Sequence, residues 1–376
     1  MNSLRAVQVS FHRDPVVREG EAQLRAWPTL HGVAAGVARA GVEVMVVQPA
    51  RTSQTLQRDG VTYDFVGDHE ASFGPLRRLA PPRGIIERVR ARAPHVVHVQ
   101  GFAHPVEVFH LARALPAVPL LVQDHASPPP TGLRRHVWRR AYDSLSGAAF
   151  TSRRQAEPLI DTGVLRGDLP IWEVIEGSST FTPGDQAEAR AITGISGDPC
   201  ILWTGHLNAN KDPLTVLEAF RLAAPRLPDA RLWCCFGTAP LLAEVDRAMA
   251  QSAVLRERVT LLGARAHAAL EPLYRAADLF VQMSHVESCG YSLIESLACG
   301  TPPLVSDIAP FRAIVGQAGS LTPLEDAPAL AAAMVAWGTG DRAAQRVAAR
   351  ERFERALSFD VIGRKLRAVY EYLGSA

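Results

Sequence analysis

Strand-like and helix-like segments alternate along almost the whole chain, and this alternation constrains the fold more than any other feature. The strand-like segments are short, apolar and rich in β-branched residues, as is typical of buried parallel strands. They read AVQVSF, EVMVVQ, HVVHVQ and PLLVQ, and later CILWT, RLWCCF, RVTLLG and LFVQM. Longer segments with helical spacing, such as PVEVFHLARAL and DPLTVLEAFRLAA, lie between them. We therefore expect an α/β fold, with parallel sheets covered by helices.

A polar stretch at residues 176–199, rich in Gly, Ser, Thr and Pro, interrupts the alternation. A chain of 376 residues is too long for one ordinary core, so we place a domain boundary there. The expected organisation is a doubly wound domain at 1–176, a linker at 177–199 and a second doubly wound domain at 200–355. A terminal helix at 356–376 either closes the second domain or crosses back to the first.

The composition excludes several classes of protein. Forty basic and 38 acidic residues leave a net charge of only +2, which argues against a nucleic-acid partner. The five cysteines form neither a CxxC pair nor a zinc-binding spacing, so we expect no metal site and a reducing, cytoplasmic compartment. The chain contains no apolar segment of membrane length, and its start does not read as a signal peptide. Peripheral contact with the inner face of a membrane stays open.

The segment HVESCGYSLIESLACGTPP, at residues 285–303, lies between two predicted strands and is expected to form a loop and a helix. In such units ligands bind beyond the carboxyl ends of the strands, where the first amides of the helix attract phosphate. Gly290 allows the backbone to approach a ligand, while Glu287 and Glu295 can accept hydrogen bonds from hydroxyl groups. The pattern favours a ligand with hydroxyls around a diphosphate, such as a nucleotide sugar. The alternative is a solvated loop glutamate and an ordinary surface-helix glutamate.

Several motifs in the second half occur in a specific order. They are TGHLNANKDPLTVLEAF, CCFGTAPLLAEV, RVTLLGARAHAALEPLYRAADLFV and then ESCGYSLIE followed by SLACGTPPLVSD. Together they resemble the retaining glycosyltransferases of family 4, whose E-x7-E signature the last motif matches. The resemblance is nearly continuous from Ile201 to about Val315. It implies a GT-B fold, in which two Rossmann-like domains face each other across a cleft.

The resemblance also implies roles for the residues of the E-x7-E motif. Glu287 would bind the hydroxyls of the donor sugar, and Glu295 would hold the ribose. The backbone amides expected to cradle the diphosphate belong to Gly290, Tyr291 and Ser292. The donor would be a nucleoside diphosphate sugar, and neither a metal nor another cofactor is expected.

The motif that begins at Gly205 is the second part of the expected donor site. Lys211 would counter the negative charge that develops on the leaving diphosphate. His206 departs from the family, which usually has arginine at this position. Three roles stay open for it: a neutral hydrogen-bond donor to phosphate, a protonated imidazole beside phosphate, or packing beneath the loop.

The first half matches the family less well. After its opening strand it lacks the paired glycines that the family commonly places there, so the acceptor stays unidentified among glycans, lipid-linked molecules and small molecules. Asp124 and His125 follow the strand PLLVQ, where the family often has a histidine that meets the donor sugar. Either residue could be the match, and His125 is our choice as a catalytic residue.

The resemblance therefore implies a hexosyltransferase that retains the anomeric configuration. Two enzymatic alternatives share the fold, namely a nucleotide-sugar epimerase and a phosphorylase. A third alternative, from another class of protein, is a nucleotide-sugar-binding protein that has lost its chemistry, which the substitution at His206 keeps open.

Overall fold

The protein consists of two compact units. The residues that the computed structural model describes are 3–14, 16–17, 19–67 and 81–375. The first unit contains the chain up to Ser178 and, in addition, the chain from Phe359 onward, whereas the second unit runs from Ser179 to Ser358. Each unit is built on its own sheet, so each has a separate core.

The first unit contains an eight-stranded sheet in the order β3-β4-β2-β1-β5-β6-β7-β8. Its strands are β1 Arg5–Ser10, β2 Glu43–Ala50, β3 Gln54–Arg58, β4 Val61–Gly67, β5 Val96–Gln100, β6 Leu120–Gln123, β7 Gly147–Phe150 and β8 Ile171–Glu173. Among the described residues of this unit, the edge strand β3 alone is antiparallel to its neighbour. The other strand pairs are parallel, as the alternation predicted. The strand order reverses between β1 and β5, the point at which such sheets bind ligands.

Helices cover this sheet, and the last helix of the chain is one of them. The helices of the first unit are α1 Gly20–Ala26, α2 Pro28–Arg39, α3 Arg83–Ala91, α4 Pro105–Ala114, α5 Arg134–Tyr142, α6 Glu157–Asp161 and the terminal α16 Phe359–Ser375. On the sheet, the hydroxyl of Tyr370 lies 2.7 Å from Nδ1 of His98. Where α16 crosses α2, a Cβ on Gly363 would lie 2.1 Å from the carbonyl oxygen of Gly36, so only glycine fits.

The second unit contains a six-stranded sheet in the order β11-β10-β9-β12-β13-β14, and all its strand pairs are parallel. Its strands are β9 Cys200–Gly205, β10 Arg231–Phe236, β11 Val259–Gly263, β12 Leu279–Gln282, β13 Pro303–Ser306 and β14 Ser320–Thr322. Counted from β9, this is the strand order 3-2-1-4-5-6 of a dinucleotide-binding domain. The order reverses between β9 and β12, which makes their carboxyl ends the expected ligand site.

The helices of the second unit begin inside the stretch that we expected to be a linker. They are α7 Gln186–Thr193, α8 Pro213–Ala223, α9 Leu242–Ala250, α10 Ala253–Arg258, α11 Leu270–Ala276, α12 Tyr291–Ala298, α13 Ala309–Val315, α14 Ala327–Gly338 and α15 Arg342–Ala356. Here the structure differs from the expectation for 177–199, since α7 is anchored to the second unit by a salt bridge from Arg190 to the buried Asp278. The side chain of Asp185 caps the start of α7, and Gly194 ends it in the left-handed conformation.

None of the helices in the described part of the chain is long and apolar enough to cross a membrane.

Candidate active site

Two loops of the second unit meet at the carboxyl edge of its sheet. One follows β9 and the other follows β12, and these strands are parallel neighbours on either side of the reversal in strand order. Parallel neighbours direct the loops that follow them to the same edge. Residues 206–212 and 283–290, far apart in sequence, therefore become adjacent in space.

The predicted catalytic lysine and the first glutamate of the E-x7-E motif form an ion pair between these loops. Nζ of Lys211 contacts Oε1 of Glu287, and the two side chains are only 16% and 13% exposed. Nε2 of Gln282, at the end of β12, lies 3.4 Å from the same carboxylate oxygen. Shielding from water strengthens such a pair, so each group holds the other in place at the edge of the sheet.

Gly205 and His206 form the start of the first loop. A Cβ on Gly205 would lie 3.4 Å from the Trp203 ring and 3.5 Å from Cγ of Lys211, which is ordinary van der Waals contact, so the lysine stem packs directly beside this residue. Nδ1 of His206 accepts a hydrogen bond from the backbone N–H of Thr238 at 3.0 Å. An acceptor nitrogen carries no proton, so the imidazole is neutral and its Nε2 carries the N–H. Of the three open roles, this geometry disfavours the protonated imidazole.

Helix α12 begins at the same edge, at the glycine between the two glutamates. Gly290 is the N-cap, and it has no side chain that could satisfy the first amides of the helix. Its φ is +81°, and a Cβ there would lie 2.5 Å from the Phe311 ring. The following residues, Tyr291 and Ser292, form the first turn. The N-cap of α12 therefore supplies no capping side chain to these amides, as in helix starts that bind anions. The sequence predicted a phosphate site at this position for the same reason.

Glu295 lies in the second turn of α12 and is only 6% exposed. Its Oε1 lies 2.6 Å from Nε2 of His267, and its Oε2 accepts a hydrogen bond from the Tyr274 hydroxyl at 3.1 Å. That hydroxyl also bonds to Thr204 Oγ1, and the His267 ring stacks on Phe181 with centroids 5.0 Å apart. These partners fix the orientation of the carboxylate. Sequence reasoning missed them, because nothing in a helix-forming segment distinguishes a residue that contacts a distant glutamate.

The contact between His267 and Glu295 predicts a pH-dependent stability. The hydrogen bond to Glu295 is the main reason that the pKa of His267 lies above its ordinary value of 6.5. A raised pKa means that the pair stabilises the fold fully below the pKa of the unfolded histidine and loses this effect as the pH rises through the raised value. His267 is 62% exposed, so solvent screening keeps the effect small, at about 1 to 3 °C in melting temperature.

The measurement is the difference in melting temperature between the wild type and His267→Gln across a pH series. We expect wild type to melt higher at about pH 5 and the difference to shrink towards about pH 9. A difference that stays constant with pH would show that protonation of His267 does not contribute.

In the first unit, His125 follows β6 and lies between two polar side chains. Its Nε2 lies 2.7 Å from Oε1 of Gln100, and its Nδ1 lies 3.0 Å from Oε2 of the buried Glu176. The neighbouring Asp124 instead accepts the backbone N–H of Ser127 at 3.1 Å, which closes a turn. Of the two residues that could match the family histidine, His125 is thus the one held by other side chains. Glu176 was missed, since it is the first residue of the polar stretch in which we placed the domain boundary.

Within the described ranges, histidine, cysteine, aspartate and glutamate side chains form no group of three or more that could hold a metal ion. The five cysteines are free and buried. The roles of the site residues stay predictions at this stage.

Two family models match the chain, one in each half. The model described as glycosyl transferases group 1 matches residues 198–338, which includes the loops around Lys211 and Glu287. The model described as Glycosyltransferase Family 4 matches residues 29–172, which includes His125.

Individual proteins show the same similarity. A D-inositol 3-phosphate glycosyltransferase of Mycobacterium sp. strain JLS is 27% identical, over 81% of this chain and 75% of its own length. A glycosyltransferase structure from Rickettsia africae aligns with a TM-score of 0.72 and 16% identity over 99% of each chain. The structure of HepE from Anabaena with UDP and glucose aligns with a TM-score of 0.66 and 18% identity, over 99% of this chain and 100% of its own. The two solved structures confirm the GT-B fold class. The two family models, which between them match residues 29–172 and 198–338, show that the chain belongs to the family 4 glycosyltransferases.

Proposed function

We propose that the chain transfers a sugar from a nucleoside diphosphate sugar to an acceptor hydroxyl, with retention of the anomeric configuration and without a metal. The observation that carries this proposal is the pairing of Lys211 with Glu287 at the reversal of strand order, beside the start of α12. This edge offers a cation and helix amides for a diphosphate, and carboxylates for hydroxyl groups.

The donor is expected to lie across the edge of the second sheet. The diphosphate binds at the amides of Gly290, Tyr291 and Ser292, and Lys211 donates to its oxygens. Glu287 then accepts hydrogen bonds from the sugar hydroxyls, while Glu295 accepts them from the ribose. Oriented by His267 and Tyr274, the Glu295 carboxylate keeps unused lone pairs for the ribose diol.

Transfer requires the bond between the anomeric carbon and the diphosphate oxygen to break. The negative charge that develops on the diphosphate is stabilised by Lys211 and by the helix amides. The acceptor oxygen bonds to the anomeric carbon from the same face, and its proton passes to the leaving diphosphate oxygen. Retention follows from this front-face route. Catalysis then consists of positioning and charge stabilisation, for which these groups suffice without a metal.

His206 and His125 have supporting roles in this proposal. With Nδ1 held by Thr238, His206 donates from Nε2 to a phosphate oxygen as a neutral group. His125, held by Gln100 and Glu176, contacts the donor sugar. The binding-protein alternative rests on the same His206, because a neutral imidazole stabilises a developing negative charge less than the arginine usual in the family.

The acceptor and the setting are proposed from the relatives. Because several relatives are named D-inositol 3-phosphate glycosyltransferases, a phosphorylated cyclitol is the first acceptor to test. We propose a cytoplasmic setting, where nucleotide sugars are made. Retention is tested by the anomeric coupling constant of the product in an NMR spectrum.

The two glutamates allow the proposed donor geometry to be tested. Glu295→Gln should weaken binding of the nucleoside diphosphate itself by about tenfold, because one charged hydrogen bond to the ribose becomes neutral. Glu287→Gln should leave that affinity almost unchanged and weaken only the intact donor. Isothermal titration of both variants with UDP and with a UDP-sugar measures the difference, since UDP is the nucleotide bound by the Anabaena neighbour.

If UDP does not bind wild type, the same titration is made with GDP, ADP and TDP. An equal loss in both variants for the diphosphate alone would contradict the assignment of Glu287 to the sugar and Glu295 to the ribose.

A further inference from the structure

Asn210 connects the two loops of the donor site directly. It lies immediately before Lys211, and its side-chain amide bonds twice to the backbone of Val286: Nδ2 donates to the carbonyl oxygen, and Oδ1 accepts the N–H, both at 3.0 Å. The backbone carbonyl of Asn210 accepts the N–H of His285 at 2.8 Å. We call Asn210 with these three hydrogen bonds the strap. It joins loops that are 76 residues apart in sequence.

The strap lies beside the ion pair between the same loops. Next to Asn210, Lys211 contacts Glu287, and Oδ2 of the following residue, Asp212, lies 3.5 Å from Nε2 of His285. Three consecutive residues of the first loop thus contact three consecutive residues of the second. Val286 is 71% exposed, so hydrogen bonds to its backbone, and not burial, hold this residue in place.

We propose that Asn210 is a positioning residue that sets the distance between Lys211 and Glu287 during sugar transfer; the inference rests on the function proposed above. In that reaction the ammonium contacts the diphosphate while the carboxylate contacts the sugar of the same donor. A bound donor therefore breaks the direct ion pair, and another contact must then keep the two loops at a fixed distance. Asn210 supplies that spacing, because its primary amide offers a donor to the carbonyl and an acceptor to the N–H of one residue, Val286. A displacement of about 1 Å at a reacting centre can cost about a hundredfold in rate.

The first measurement is hydrogen exchange of the peptide that contains Val286, in wild type and in Asn210→Ala without any donor. Removing the amide leaves the Val286 N–H without its acceptor, so its exchange should become faster by roughly tenfold or more. Asn208→Ala is the matched control, since the Asn208 side chain accepts the N–H of Lys211 within its own turn. Exchange at Val286 should not change in that control.

The second measurement is a double-mutant cycle on the transfer rate. Asn210→Ala should lower kcat by roughly tenfold to a hundredfold while the affinity for the nucleoside diphosphate alone changes little. In a Glu287→Ala background the same change should cost less than about threefold, because the group that it positions is gone. Asn210→Ser is a second variant in case the alanine variant does not fold, since its one hydroxyl cannot replace both bonds.

Each outcome decides a different claim. Unchanged exchange at Val286 would show that the strap does not hold the loop. Suppose that exchange at Val286 is faster, but that Asn210→Ala lowers kcat equally in wild type and in the Glu287→Ala variant. The strap would then not act through Glu287. If wild type turned over no nucleotide sugar at all, the proposed function would fail, and the role of Asn210 in transfer with it, whereas the exchange result would still report on the strap.

Discussion

Lys211→Ala is expected to lower kcat by about a hundredfold to a thousandfold, the usual effect of removing one group that stabilises a developing charge. The lysine is only 16% exposed and is held at the edge of the sheet by Glu287. In the proposed transition state, its charge would offset the negative charge that grows on the leaving diphosphate. The effect on the affinity for the intact donor should be smaller than the effect on kcat, because the diphosphate is already charged before the bond breaks.

Lys365→Ala is the matched control for this experiment, because Lys365 is the only other lysine of the sequence. It lies on the exposed side of α16 and should leave kcat unchanged. Lys211→Arg keeps the charge but changes its shape, so we expect an intermediate rate. If Lys211→Ala kept the wild-type kcat with a folded protein, Lys211 would have no part in charge stabilisation.

Gly290→Val is expected to weaken donor binding by at least about a hundredfold and to destabilise the second unit by roughly 2 to 4 kcal/mol. Two causes add at this position. The left-handed φ of +81° is unfavourable for a β-branched residue, and a Cβ would lie only 2.5 Å from the ring of Phe311. The first turn of α12 must shift to relieve the contact, and the amides that we propose for diphosphate binding shift with it.

Two further variants separate the strain from the steric contact. Gly194 also has a left-handed φ, of +72°, so Gly194→Val introduces a similar backbone strain. A Cβ there would meet no atom within 4 Å, and the residue lies at the end of α7, away from the site. It should cost stability without a loss of donor binding. In Gly290→Ala, a second substitution of Phe311 by leucine should restore part of the binding. Equal losses of donor affinity in the Gly290 and Gly194 variants, measured by titration with the nucleoside diphosphate, would contradict the account.

The sequence predicted the fold of the second unit well because its signals are local. Apolar runs identified β9 and β12, and the Gly-Thr-Pro after the last turn of α12 identified its end. A parallel sheet then brings the loops after neighbouring strands together without further information. The position of Lys211 near Glu287 follows from this topology.

Other features could not be read in the same way. The bonds of Asn210 to Val286, and of Glu176 to His125, depend on side-chain orientation across long sequence separations, which periodicity does not report. The helix α7 is different, since its Asp185 cap and its terminal glycine are local signals. They were outweighed by the Gly, Ser, Thr and Pro content around them, which favoured a linker.

Release of nucleoside diphosphate tests the central claim most directly. The protein is incubated with UDP-, GDP-, ADP- and TDP-sugars, with inositol 3-phosphate as the first acceptor, and the free nucleotide is measured against time. We predict that sugars of one of these nucleotides release it, that the acceptor accelerates this release, and that Lys211→Ala slows it by about a hundredfold or more. Tight binding of a nucleotide sugar without release from any donor, with or without acceptor, would contradict the proposal and favour a binding protein.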